Sequence, residues 1–215
     1  MAYCATEVFK YFYDYMKVSK ELDDIQFVEA MSSIGELKKE NEDIIGWLSL
    51  EGTRLDNPVL QTTNNEFYLT HNYLKEESRG GSIFLDYRNL QLGHQHSILY
   101  GHVLRNGTMF GDLHKFTDQV YADEHPTFIF ETEHEYYELQ VFSAYNTTTD
   151  NYYLQTKFTD EQFKDFLQTI VNRSVIQMPV TVTTADRIVT LSTCTTSLND
   201  KERFVVHAKV VQRQK

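Results

Sequence analysis

Cysteine is nearly missing from this chain of 215 residues: there are two, Cys4 and Cys194. Two thiols cannot build a disulfide framework, so the fold has to rest on a hydrophobic core. Proline is scarce as well, at three, which argues against a Pro-rich disordered chain. No apolar run approaches the ~18 residues that a membrane-spanning helix requires, and residues 1–20 are too charged and aromatic for a signal peptide. Basic excess is lacking too. Twenty Lys and Arg against 31 Asp and Glu leave a net charge of -11, which speaks against nucleic acid and against an anionic membrane surface as partners.

Aromatic residues are plentiful. Fourteen Tyr and fourteen Phe, within a hydrophobic content of 41%, suit an ordered, strand-rich core in one domain with a small appendage. Residues 5–30 read as a helix with Val8, Phe12 and Tyr15 on one face, and a second helix is expected over Ser33–Asn41, capped by Ser32 or Ser33 with Glu36 reaching back. Residues 1–42 are therefore expected to form a helical appendage, and residues 43–215 a β domain.

From Ile44 the apolar residues alternate. Strands are expected in IIGWLSLEGTRLDNPVLQ, broken at Gly52 and at Asn57-Pro58, and then at Phe67–Leu69, Ser82–Asp86, Ser97–Tyr100, Thr127–Glu131, Tyr136–Tyr145, Val180–Thr184, Arg187–Ser192 and Arg203–Val211. Short strands at this spacing suggest a closed or nearly closed barrel. One helix interrupts them: after Thr159 come two acidic residues, and then Phe163, Phe166, Leu167 and Ile170 on one face.

Cys194 ends the β-branched run TLSTC, and Arg203 opens the next run, RFVVHAKVV. A thiolate nucleophile needs a partner to take or hold a proton, and a guanidinium can meet the charge that develops on an attacked carbonyl. His102 in YGHVLRNGTMFGDL is the best candidate for the proton partner, but with eight histidines and several arginines chemistry alone does not select this set. His94, His96 and His102 also read as H-x-H-x5-H, which invites zinc. No neighbouring Cys or carboxylate completes that set, and no metal or cofactor is expected.

TLSTC followed by R-x-V-V-x-A-K resembles the sortase signature, and YGHVLRNGTMFGDL resembles the histidine segment of class B sortases. NEDIIGWLSLEGT, NPVLQ, NNEFYLTHN, GSIFLDYRN, EHPTFIF and DRIVTLSTC extend the likeness over roughly residues 40–211. The resemblance implies a mainly β, sortase-like closed barrel of about eight strands with one long helix before the cysteine strand. It implies a cysteine transpeptidase with Cys194 as nucleophile, His102 as acid and base, and Arg203 on the oxyanion. It further implies a threonine-containing sorting motif of secreted proteins as substrate, cell-wall peptidoglycan as the amine partner, and a place on the outer face of a Gram-positive cell membrane.

The family's usual N-terminal anchor is not in these residues, so membrane contact is expected only through such an anchor. Substrate-groove positions carried over from the resemblance are Ser192, Thr149, Tyr153 and Leu154 on one side, with Asn65 and Leu69 on the opposite wall. Two departures stand out. Val103 follows His102 where many class B relatives carry Asn, and TTSLN after Cys194 offers no carboxylate to orient the histidine. A cysteine endopeptidase that resolves its thioester with water, and a non-catalytic peptide-binding barrel, remain the alternatives.

Overall fold

The computed structural model describes residues 33–90, 92–148, 151–194 and 202–213, together with residues 13, 16–21, 23 and 24; for Asn151 and Cys194 it describes the backbone. Most of the first expected helix lies outside the described residues, although 16–21 are helical.

Eight strands close a barrel: β1 (Ile44–Ser49), β2 (Asp56–Leu60), β3 (Ile83–Leu85), β4 (His96–Gly101), β5 (Thr127–Glu131), β6 (Tyr136–Thr148), β7 (Ile188–Cys194) and β8 (Glu202–Arg213). Their order around the barrel is β1-β2-β3-β4-β7-β8-β6-β5. The β2–β3 and β4–β7 pairs are parallel and the others antiparallel. A parallel pair needs a long crossover. For β4 and β7 that crossover is more than 80 residues long and includes β5, β6 and two helices, α2 (Gln119–Glu124) and α3 (Asp160–Asn172).

Alternation along the strands divides the apolar residues between two compartments. Val189 and Leu191 of β7 and Phe204, Val206 and Ala208 of β8 enter the barrel core with Leu48, Val59, Ile83 and Phe128. Ile188 and Val205 point the other way, into a second cluster with Phe163, Phe166, Leu167 and Ile170 of α3. Helix α3 starts where expected: Thr159 Oγ1 accepts from Gln162 N while Gln162 Oε1 accepts from Thr159 N. A third cluster seats Ile34 and Leu37 of α1 (Ile34–Glu40) against Ile44 and Trp47.

Several elements depart from the sequence reading. Phe67–Leu69 is a 3-10 turn, because Asn64 Oδ1 accepts from the backbone N–H groups of Glu66 and Phe67 and starts a turn. Asn57-Pro58 lies inside β2. Pairing with β3 begins only at Val59, so the missing N–H of Pro58 breaks no ladder on that side. Residues 180–183 form no ladder; Val180 and Val182 alternate because they pack beside α3. Ser33 occupies the N-cap of α1 but makes no side-chain cap bond.

Candidate active site

The chemistry-bearing residues gather at the ends of three adjacent strands. In the β7–β8 ladder the last pair is Cys194 with Arg203. In the parallel β4–β7 ladder the last pair is Gly101 with Thr193, so the next residue of β4, His102, leaves the sheet beside position 194. Period-2 alternation puts position 194 on the same sheet face as Thr190 and Ser192, and Arg203 on the same face as Val205 and His207.

His102 is fixed by its neighbours in sequence. A Cβ built on Gly101 would lie 2.9 Å from Cδ2 of Phe110 and 3.2 Å from Cγ1 of Ile83, so only glycine lets the strand approach this closely. The chain then turns through Gly107 (φ 81°) and returns, with Val103 bridged to Met109 and Phe110 N donating to His102 O at 3.1 Å. The imidazole Nε2 lies 2.8 Å from the carbonyl oxygen of Leu69. A carbonyl only accepts, so Nε2 carries the proton, and in the neutral ring Nδ1 holds the lone pair. That backbone carbonyl orients the ring in a chain whose TTSLN segment brings no carboxylate. Arg203 Nη1 donates to the carbonyl of Glu202 at 2.8 Å.

A groove of about 260 Å³ runs along this rim. His102, Arg203, Ser192, Tyr153, Leu154, Asn65 and Leu69, all selected from sequence, line it. Thr149 lies outside the described residues. Phe84, Tyr100, Gly101 and Thr193 also line the groove and were not selected. Tyr100 and Gly101 sit in the quoted YGH motif, so adjacency to the histidine was the available signal.

The groove's support is polar. Ser192 Oγ donates to Tyr153 Oη at 3.3 Å. Beneath, His96 and His207 are fully buried. His96 Nδ1 donates to the carbonyl of Gln155 at 2.6 Å, and its Nε2 meets Thr190 Oγ1 at 2.6 Å. Thr190 Oγ1 meets His207 Nδ1 at 2.7 Å, and His207 Nε2 meets Tyr145 Oη at 2.9 Å. Both ring nitrogens of His96 are thus engaged, away from His102. Among the described residues no three His, Cys, Asp or Glu gather as a metal site. Burial pushes His96 down to about 4, against the raising effect of the Gln155 hydrogen bond, and holds His207 well below the ordinary histidine range.

The sortase domain family matches residues 48–211, most of the chain. The chain belongs to the sortase family. Sortase B of Listeria monocytogenes is 42% identical over 188 residues, covering 86% of this chain and 76% of that protein. Sortase B of Bacillus anthracis, solved as a crystal structure, superposes with a TM-score of 0.86 at 37% identity, covering 94% of this chain and 100% of that one. Sortase B of Staphylococcus aureus, solved as a substrate complex, superposes with a TM-score of 0.79 at 37% identity, covering 96% and 99% of the two chains. A sortase B has also been solved in complex with triglycine. The chain is thus a sortase B-type cysteine transpeptidase, and sortases work at the Gram-positive cell surface. Among the described residues no helix is long and apolar enough to cross a membrane.

Proposed function

We propose that this sortase cleaves a threonine-containing C-terminal sorting motif of secreted proteins through a thioester on Cys194, and transfers the acyl group to a peptidoglycan amine at the outer face of the cell membrane. The single observation that carries the reading is the register at the barrel rim: Cys194 opposite Arg203, with His102 leaving the neighbouring strand beside them.

The steps follow from that placement. The thiolate of Cys194 attacks the carbonyl carbon after threonine, and the oxygen takes the charge. The Arg203 guanidinium donates to that oxygen and cannot lose its own proton. His102 gives its proton to the departing amine as the C–N bond breaks, which leaves a thioester and a neutral imidazole. An acceptor amine then attacks the thioester, loses a proton to His102, and the C–S bond breaks to release the thiolate, which restores the thiolate–imidazolium pair. The groove lined by Leu69, Asn65, Tyr153, Leu154 and Ser192 holds the peptide. The relatives solved with substrate and with triglycine support a peptide donor and an amine-bearing acceptor.

Mass spectrometry of the enzyme with a panel of threonine-containing peptides tests the reading. An acyl adduct on Cys194, discharged onto an added amine, is the expected result. Release of the free acid alone, unchanged by the amine, marks a water-resolved endopeptidase. Absence of any adduct with every peptide leaves only a binding barrel.

A further inference from the structure

Asp86 is a fully buried carboxylate that none of these chemical steps uses. It follows β3, beneath the groove, and its contacts lead to both walls. Asn65 Nδ2 donates to Oδ2 at 2.9 Å, and Asn65 Oδ1 in turn accepts from Tyr87 N at 2.9 Å. The Tyr100 hydroxyl donates to the same Oδ2 at 3.0 Å. Arg88 grips both oxygens, Nε to Oδ1 at 2.8 Å and Nη2 to Oδ2 at 2.7 Å, and its Nη2 also donates to the carbonyl of Leu154 at 2.9 Å. Gln61 Nε2 anchors the turn by donating to the Asp86 and Asn89 carbonyls.

One buried charge therefore connects Asn65, Tyr100 and, through Arg88, Leu154. All three are lining residues of the groove, and they come from three separate segments of the chain. Burial alone would raise the Asp86 carboxyl, but the Arg88 and Asn65 hydrogen bonds outweigh it and hold the group ionised, below its ordinary range. A bidentate guanidinium–carboxylate pair fixes direction as well as distance. The Leu154 carbonyl is consequently held at a set position relative to the Asn65 wall.

Resting on the transpeptidase reading, we propose that Asp86 and Arg88 are positioning residues that set the width of the peptide groove by clamping its two walls, and so govern peptide binding rather than the acyl-transfer step. Arg88→Ala is the first test, because its side chain is partly exposed and its removal leaves the barrel core intact. Amide exchange at residues 152–156 of the free enzyme should rise by about tenfold or more, with the β6, β7 and β8 ladders unchanged. KM for a threonine-containing sorting peptide should rise about tenfold while kcat stays within roughly twofold. Asp86→Asn, which loosens both walls, should shift KM further in the same direction.

An unchanged KM with unchanged exchange in Arg88→Ala overturns the clamp. So does exchange that rises equally through the barrel with a matching fall in kcat, which marks general destabilisation. Exchange reads the free enzyme and judges the clamp whether or not a given peptide is turned over. Failure of the wild-type protein to form an adduct on Cys194 with those peptides strikes the transpeptidase reading instead.

Discussion

His96 and His207 share one hydroxyl: Thr190 Oγ1 lies 2.6 Å from Nε2 of the first ring and 2.7 Å from Nδ1 of the second. In the neutral ring Nε2 accepts from the threonine, and full burial disfavours the imidazolium. Folded His96 sits at about 4, below its ordinary value of 6.5, so the unfolded chain takes up a proton first as pH falls. The stabilisation is complete above pH 6.5 and is lost as pH drops towards 4, a change of about 3 kcal/mol at ~1.4 kcal/mol per pKa unit. Thermal unfolding should show a falling Tm between pH 6.5 and 5, before most carboxylates titrate, and a flatter profile in His96→Gln. A wild-type Tm constant over that window contradicts the assignment.

The Leu69 carbonyl dictates the tautomer of His102. In the neutral enzyme, nitrogen NMR should find the proton of His102 on Nε2. A proton on Nδ1 alone would leave Nε2 nothing to donate to the Leu69 carbonyl and would overturn this contact.

Arg203 is asked for a planar pair of donors, not only for charge. Arg203→Lys should lower kcat/KM by about a hundredfold or more, the scale of losing an oxyanion donor. Wild-type turnover in that variant would remove the oxyanion role.

Gly101 leaves no room for a side chain between β4 and Phe110. Gly101→Val should destabilise the fold by about 1–3 kcal/mol, as overpacking does, and should cut activity by displacing His102. Denaturant unfolding and peptide turnover on the same sample check both effects.

The reciprocal cap of α3 is a separate and simpler matter. Thr159→Ala removes the acceptor for Gln162 N and should cost about 1 kcal/mol in stability, read as a lower denaturation midpoint.

Long, regular elements were legible in the residues alone. β5 matches its expected bounds, and α3 begins at its cap because the signals there are local. The 3-10 turn at Phe67–Leu69 was misread because an Asn side chain, not periodicity, decides it. The unpaired stretch 180–183 alternates like a strand, and nothing in its own residues says that a helix claims its valines. At the site, motif likeness selected His102, Arg203 and most of the groove lining. Asp86 and Arg88 escaped notice although they stand in the quoted GSIFLDYRN. An aspartate after an apolar run reads as a turn residue until Asn65, Tyr100 and Leu154, distant in sequence, are seen around it.

The parallel seam between β4 and β7 joins strands far apart in sequence. The histidine leaves β4, position 194 ends β7, and Arg203 lies on β8, which sits between β7 and β6, so position 194 stands opposite Arg203 only once β7 and β8 have paired. No single local segment therefore carries the rim; pairing between strands distant in sequence builds it. The same pairings that close the barrel set the register of the rim.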